Sequence, residues 1–436
     1  METRIIKGNI ISAAEFGKLD ITEKGYLIAI DGKIKGIYQN LPAEYATNEI
    51  EDYGDALVMQ SFADMHLHAP QYPMLGMGMD MPLLYWLNTY TFPTEACFKD
   101  NEFARKTYRR LARELAAKGT TRVCMFSSIH REATLILMEE LENAGITGYV
   151  GKVNMDRNGG KDYQETTEES ISETVKWLEK CNFEHIKPML TPRFTPACTN
   201  ELMQELGRIA KEKNLPIQSH LSENTGELSL VRQLHPDCAQ YWETYAKYGL
   251  WNDKTLMAHC VWSDERERKA IRNAGVWAVH CAASNENLIS GYAQVRIMLY
   301  EGLNVVLGSD IAGGDHLSMF KNITAAIRAS KARRIIDDWK TDFLTVEEAF
   351  YLGTSAAAPY FGEKPGFAPG NALHAIVVED ETLPMVRPLS VHERFERCVY
   401  RREHGAMLAV YSEGKKIYSR QYYGDKQKCT THGDIE

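Results

Sequence analysis

From about residue 57 to about residue 360, short apolar runs alternate with longer stretches in which apolar residues recur at helical spacing. The apolar runs, which predict strands, are Leu57–His68, Thr121–Ile129, Ile146–Met155, Ile186–Phe194, Ile217–Leu221, Thr255–Val261, Val276–Ala282 and Val305–Asp310. The helical stretches between them include Glu102–Lys118, Arg131–Ala144, Glu168–Cys181, Glu201–Lys213, Asp264–Ala274 and Tyr292–Gly302. Strands that alternate with helices are typical of parallel β/α units, so the pattern predicts an α/β fold, a (β/α)8 TIM-like barrel.

The two ends of the chain show a different pattern of short strands and turns. Asp31-Gly32 lies between two apolar runs and is a hairpin signal. Turn and strand character returns after Pro359, for example in Ala375–Val378. Because the ends of a domain often lie close together, we expect residues 1–58 and 361–436 to form one small β-sandwich module. The barrel then occupies residues 59–360.

Polar side chains fall at the C-terminal ends of several predicted strands. His66 and His68 are two residues apart, so in a strand both imidazoles project to the same face. His220, His259 and Asp310 each end a later apolar run. The C-terminal ends of the strands are where β/α barrels carry their active sites, so we expect these side chains to converge.

The converging side chains predict a metal-dependent hydrolase. His66, His68, His220 and Asp310 offer three nitrogens and one oxygen, a set that zinc accepts with a position left for water, although iron also accepts it. Glu223, three residues after His220, is placed to carry a proton between that water and a substrate nitrogen. His259 is expected to orient the water and stabilise charge, and Asp310 is a second candidate acceptor for its proton. Asp64 is a candidate acceptor that fixes an imidazole tautomer.

Composition narrows the classes of function. A chain of 436 residues with 44% hydrophobic content can bury a large core. Its net charge of −9 argues against a nucleic-acid or anionic-membrane partner. No apolar run has the length of a transmembrane helix, and the first residues lack the apolar core of a signal peptide. The nine cysteines form no Cys-x-x-Cys pair, which favours free thiols in a reducing cytosol.

The order of these histidines and Asp310 resembles the amidohydrolase superfamily. Longer blocks resemble the guanine deaminase family within it: His68–Tyr72, Gly78–Leu87, Tyr90–Glu95, Thr191–Phe194, Ser219–Glu223, Met257–His259 and Gly308–Gly314. At Gln60-Ser61 and at His280-Cys281-Ala282 the sequence differs from the residues that the family usually carries. Neither difference removes a predicted ligand. The resemblance implies a cytoplasmic homodimer with one zinc per subunit, which hydrolyses guanine to xanthine and ammonia.

The same resemblance directs attention to three substrate-binding side chains. Gln71 has both a donor and an acceptor, Arg193 is expected to donate to the purine carbonyl, and Phe194 is expected to stack on the ring. The roles of His280 and Trp86 stay open, because either residue is compatible with a purely structural position. Two alternatives also remain: a deaminase of another amino-heterocycle, such as a pterin, a triazine or another aminopurine, and a metal-free scaffold of the same superfamily.

Overall fold

The computed structural model describes residues 2–160, 162–380, 383–401 and 406–420. Two four-stranded parallel sheets form the centre of the molecule. The first contains Phe62–His68, Thr120–Phe126, Thr147–Gly151 and Ile186–Pro188, and the second contains Ile217–Leu221, Thr255–His259, Trp277–His280 and Asn304–Leu307. A short parallel pair, Val153–Asn154 with Thr191–Pro192, lies beside them. Most residues of these strands are buried, and the buried set includes polar side chains such as Asp64, His66 and Gln218 beside the apolar ones.

Backbone hydrogen bonds join the two sheets at both edges. At one edge, Leu190 N–H donates to Pro216 O over 2.9 Å and Gln218 N–H donates to Leu190 O over 2.9 Å. At the other, Asp310 N–H donates to His66 O over 2.8 Å and His68 N–H donates to Ile311 O over 3.1 Å. The last central strand is therefore tied to the first, beside the predicted metal ligands.

Helices follow most of the central strands, as the apolar spacing predicts. The six predicted helices are confirmed with shifted ends: Asn101–Ala117, Arg131–Asn143, Thr167–Lys180, Asn200–Lys213, Glu265–Ala274 and Val295–Tyr300. Asp100, Thr166 and Asp264 cap three of them by accepting hydrogen bonds from first-turn N–H groups. The other α-helices are Leu83–Trp86, Phe92–Ala96, Thr225–Leu234, Glu243–Ala246, Ala282–Asn287, Met319–Ile336, Val346–Gly353 and Val391–Arg401. Within the described ranges, no helix combines the length and apolar character needed to cross a bilayer.

Three predicted strands are interrupted. One of them, Ile146–Met155, forms the separate strands Thr147–Gly151 and Val153–Asn154. The predicted strand Leu57–His68 is divided at Ser61, whose N–H donates to His374 O over 3.2 Å, whereas the next N–H, of Phe62, donates to Gly119 O over 2.9 Å. Glu51–Gln60 and Phe62–His68 consequently belong to different sheets. The predicted strand Ile186–Phe194 is also divided, because proline has no N–H to donate to a neighbouring strand, and Pro188 and Pro192 end its two pieces.

The ends of the chain combine in one mixed sheet of seven strands. Its order is Lys415–Ser419, Ala406–Ser412, Ala375–Glu379, Glu51–Gln60, Thr3–Glu15, Lys18–Ile30 and Lys33–Tyr38. Among the described residues, strands of both terminal segments pair in this one sheet, which supports the expected β-sandwich module in part. Thr3–Glu15 pairs with Lys18–Ile30 on one side and Glu51–Gln60 on the other, which places the strands edge to edge. The helix Val391–Arg401 lies where strand character was predicted, and residues 421–436 of the predicted module lie outside the described residues.

Candidate metal centre and substrate pocket

The strand ends bring the five predicted metal-centre side chains together. His66 and His68 share one face of Phe62–His68, His220 lies near the end of Ile217–Leu221, and His259 is the last residue of Thr255–His259. Asp310 follows Asn304–Leu307 and is held by its N–H bond to His66 O. Residues up to about 240 positions apart in the sequence come together because parallel strands end at one edge of the sheet.

Short distances between ligand-type atoms define the cluster. Asp310 Oδ1 lies 3.2 Å from His66 Nε2 and 3.4 Å from His68 Nε2. His68 Nε2 lies 3.2 Å from His220 Nε2. Ligand atoms of His66, His220, His259 and Asp310 also lie within 4.8 Å of one another. All four predicted ligands therefore face one point, and His259 reaches the same point.

The protonation states of the cluster suit a divalent cation. Burial lowers the pKa values of His66, His68 and His220, which leaves neutral imidazoles with free lone pairs. Burial alone would raise the pKa of Asp310, but the surrounding imidazoles hold it down to about 2. His220 Nδ1 donates to Arg193 O over 2.5 Å, so its Nε2 presents a lone pair to the cluster.

Buried ring nitrogens without hydrogen-bond partners also fit a metal site. Three ring nitrogens lack a hydrogen-bond partner: Nδ1 and Nε2 of His66 and Nδ1 of His68. Both rings are buried. An unpaired buried polar atom costs about 1–3 kcal/mol, so such atoms call for a partner. Deprotonated nitrogens and a carboxylate turned towards one point fit a metal ion of the zinc or iron type.

The backbone at the strand ends is strained. His259 has a φ of 75° and Asp310 a φ of 48°, in the left-handed region that residues other than glycine rarely adopt. Ser222 and Cys260 share this region with φ values of 48° and 50°. Each such residue costs about 1–3 kcal/mol and persists where packing enforces it, commonly at active sites. Two of these four residues, His259 and Asp310, contribute side chains to the cluster.

Glu223 and His259 lie next to each other beside the candidate ligands. Glu223 Oε2 lies 3.4 Å from His259 Nε2, and Glu223 Oε1 accepts from Ser290 Oγ over 2.9 Å. Burial raises the pKa of Glu223 to about 7, where a carboxyl can both accept and release a proton. Burial alone would lower the pKa of His259, but the charges of Glu223 and Asp310 raise it. His259 Nδ1 lies 2.8 Å from Asn285 Oδ1, which fixes the ring.

A narrow pocket opens onto this cluster. Gln71, Arg193 and Phe194, the three predicted substrate-binding residues, all line it, together with His68, Leu83, Trp86, Leu87, His220, Glu223, His259, Leu288 and Asp310. The pocket is therefore polar towards the metal centre and apolar along its outer wall. Trp86 belongs to that wall, and its Nε1 donates to Met77 O over 3.0 Å.

The structure adds Glu95, which sequence reasoning missed as a site residue. Its carboxylate forms a bidentate ion pair with Arg193, with Oε2 2.5 Å from one terminal nitrogen and Oε1 3.0 Å from the other. Gln71 Nε2 also donates to Glu95 Oε1 over 2.9 Å. Glu95 lies in the short helix Phe92–Ala96, next to a π-helical turn at Leu87–Thr91, and not at the end of a predicted strand, where the sequence pattern placed the site. Asn285 and Ser290 were missed for the same reason.

Two other residues that the sequence singled out, His280 and Asp64, lie just outside the cluster. His280 is buried, its pKa is lowered to about 4 by that burial, and its Nδ1 lacks a hydrogen-bond partner. It is not among the mutually close ligand atoms. Asp64 Oδ1 accepts from the Ser309 N–H over 2.8 Å, so the observed contact is with the backbone before Asp310 rather than with an imidazole.

The comparisons with known proteins agree with one another. A model of the Amidohydrolase family matches residues 57–410. A guanine deaminase from Dictyostelium discoideum is 35% identical over 444 residues, covering 95% of this chain and 98% of that protein. One from Mus musculus is 39% identical over 327 residues, covering 73% of this chain and 72% of that protein. The crystal structure of a guanine deaminase from C. acetobutylicum, with guanine bound in its active site, superposes with a TM-score of 0.92 at 40% identity, covering 96% of this chain and 100% of that one.

Proposed function

This chain belongs to the amidohydrolase family and, within it, to the guanine deaminases, and from that premise we propose that it hydrolyses guanine to xanthine and ammonia. The observation that carries the proposal is the buried cluster of metal-type ligands, which opens into a pocket walled by Gln71, Arg193 and Phe194. In this reaction a water oxygen forms a bond to C2 of the purine. The C2–N bond then breaks, and the former amino group leaves as ammonia with the protons that it has gained.

We assign the metal-holding role to His66, His68, His220 and Asp310. His68 rather than His259 completes the set, because His68 Nε2 lies within 3.4 Å of both His220 Nε2 and Asp310 Oδ1. His259 Nε2 instead lies between two carboxylates, 3.4 Å from Glu223 and 3.7 Å from Asp310. Three nitrogens and one carboxylate favour one zinc ion per chain, with iron as the competing metal. When bound, the metal supplies a Lewis acid that lowers the pKa of a water molecule towards about 7.

The proton transfers are assigned to Glu223. Its pKa of about 7 allows the carboxylate to take a proton from water and then to deliver it to the purine or to the departing nitrogen. His259, whose pKa the neighbouring carboxylates raise, holds a positive charge beside the site of attack. Asp310 was also a candidate proton acceptor, but a pKa of about 2 makes it a weak base and supports its ligand role more strongly.

Guanine recognition is assigned to the other wall of the pocket. We propose that Arg193 donates to the purine carbonyl oxygen, that Gln71 contacts the ring edge, and that Phe194 stacks on the ring. Arg193 is only 3% exposed, so a ligand that left its remaining donors without acceptors would bind poorly. Adenine carries an amino group where guanine carries this carbonyl, and it should therefore be rejected.

We propose that the eight central strands close into a (β/α)8 barrel over residues 59–360, with residues 1–58 and 361–436 as the attached module. The hydrogen bonds at both edges of the two sheets support the closure. A homodimer is proposed on the family resemblance. A reducing, cytoplasmic location is supported by the eight cysteines among the described residues, all of which are free.

A substrate panel tests the proposed function. Ammonia release is measured with zinc-loaded protein on guanine, adenine, cytosine, a pterin and a triazine, with the His220→Ala variant as the matched inactive control. Guanine is expected to give the highest kcat/KM by at least about 100-fold, since a site built around a buried donor strongly discriminates against ligands without the acceptor. A higher kcat/KM on a pterin, a triazine or another aminopurine would replace guanine as the substrate, and full activity of the His220→Ala variant would reject the metal centre.

A further inference from the structure

Glu95 is a fully buried carboxylate that the metal and proton chemistry does not use. Its side chain is 0% exposed, and its ionic partner Arg193 is 3% exposed. A charge buried this deeply is stable only when it is paired and hydrogen-bonded. Glu95 receives three such bonds, all from pocket-lining residues: two from Arg193 and one from Gln71. These three hydrogen bonds therefore all come from two of the predicted purine-binding groups.

The ion pair fixes the plane of the Arg193 guanidinium. Two parallel N–H···O bonds to one carboxylate define that plane, and the ring of Phe92 closes one face, with its centroid 5.0 Å from Arg193 Cζ. A guanidinium has five N–H donors, and Glu95 takes two of them. The remaining donors point in directions that Glu95 determines, and the positive charge is balanced before any substrate enters.

Glu95 also determines which end of the Gln71 amide faces which neighbour. An ionised carboxylate only accepts hydrogen bonds, so the NH₂ group of Gln71 must face Glu95 Oε1, at 2.9 Å. The amide oxygen of Gln71 accepts from the Ala312 N–H, also at 2.9 Å. Reversing the amide would place an oxygen against a carboxylate and an NH₂ against an N–H. The donor and acceptor of Gln71 are thus fixed relative to the pocket.

We propose that Glu95 is a positioning residue that sets base specificity, acting through Arg193 and Gln71 to present fixed donors to the carbonyl at C6 of the purine. The inference rests on the proposed guanine hydrolysis and adds the determinant of that selectivity. Without the carboxylate, the guanidinium turns more freely and only the Ala312 N–H still holds the orientation of the Gln71 amide, so the pocket tolerates an amino group at C6 more readily. Glutamine at position 95 is the sharpest probe, because it keeps the size of glutamate but places an NH₂ group against the donors of Arg193 or Gln71.

The test compares guanine with 2,6-diaminopurine, which keeps the C2 amino group that leaves but carries an amino group in place of the C6 carbonyl. Glu95→Gln is expected to raise KM for guanine at least tenfold with a smaller change in kcat. It should also lower the guanine/2,6-diaminopurine ratio of kcat/KM by at least about tenfold, because hydrogen-bond mismatch governs that ratio. Glu95→Asp, which keeps the charge, should recover part of the ratio. Exposed Glu102→Gln is the matched control and should change nothing.

A double-mutant cycle shows whether Glu95 acts through its partner. In an Arg193→Ala background, Glu95→Gln should have little further effect on the ratio, because the group that it positions is gone. Equal losses on both purines in Glu95→Gln, or an unchanged ratio in a folded Glu95→Asp and Glu95→Gln pair, would overturn the inference while leaving guanine hydrolysis intact. A wild-type protein that releases no ammonia from guanine would overturn the proposed function, and the inference with it.

Discussion

Replacement of Glu223 by glutamine tests the proton-transfer assignment most directly. The glutamine amide has the same shape as the carboxyl and can still accept from Ser290 Oγ, which now lies 2.9 Å from Glu223 Oε1. The variant is therefore expected to fold and to bind metal normally. It lacks a group that accepts and releases protons near pH 7, and it lacks the negative charge 3.4 Å from His259 Nε2.

The size of the loss follows from the chemistry of the group. A positioned general acid–base contributes about 10²–10⁴-fold to rate, which corresponds to about 3–5 kcal/mol of activation free energy. The change should fall on kcat, because Gln71, Arg193 and Phe194 are untouched. Wild-type kcat/KM should fall as pH decreases through the pKa of Glu223, which lies at about 7 without a metal and lower beside a dication. Glu223→Gln should lack this acid limb.

The assay is steady-state ammonia release between pH 5 and pH 9, with metal content and thermal unfolding measured on the same preparations. Glu265→Gln makes the same chemical change at an exposed position of the helix Glu265–Ala274 and serves as the matched control. Less than a tenfold loss of kcat across this range, with full metal content, would refute the assignment of the proton transfers to Glu223. Retention of the acid limb in Glu223→Gln would assign that limb to another group.

Three further predictions concern the substrate, the metal and the fold. Arg193→Ala should reduce kcat/KM on guanine far more than Phe194→Leu in the same steady-state assay, and equal small losses would reject this assignment. Chelation should abolish ammonia release and added zinc should restore it. Metal analysis of the protein after each step checks that the ion is lost and regained. Burial raises the pKa of Glu267 to about 7, so its ionisation destabilises the fold as pH rises from about 4.5 to about 7, by at most about 3 kcal/mol. Urea unfolding of Glu267→Gln should therefore show a stability gain over wild type at pH 8 that is absent at pH 4, and a constant difference would contradict this.

The parts of the site that lie at strand ends could be predicted from the sequence. His66, His68, His220, His259 and Asp310 each end an apolar run, and parallel strands in one sheet bring such ends to one edge. No side-chain contact had to be known for that step, because the topology alone brings the strand ends together. The prediction that these groups converge is confirmed by distances of 3.2–3.7 Å between their ligand atoms.

Glu95, Asn285 and Ser290 could not be predicted in the same way. Glu95 and Asn285 lie in short helices and Ser290 lies just after a turn, where neither period 2 nor period 3.6 distinguishes a site residue from a surface residue. Glu95 gains its role from Arg193, 98 positions along the chain, through an ion pair that only the folded structure reveals. The strand order of the terminal sheet could not be predicted for a related reason, since strand patterns show which face is buried but not which strands become neighbours.

Charge compensation in a buried space explains how the two halves of the pocket differ. On one wall, neutral imidazoles and the anionic Asp310 form a site that a bound cation can balance, beside His259, whose pKa Glu223 and Asp310 raise. On the other, Glu95 balances Arg193 within the protein. A neutral purine can therefore bind between a wall completed by metal and a wall already neutral, without carrying charge into the interior. An anionic ligand would disturb the balance of both walls, and on this reasoning net neutrality of the substrate is as much a condition for binding as its shape.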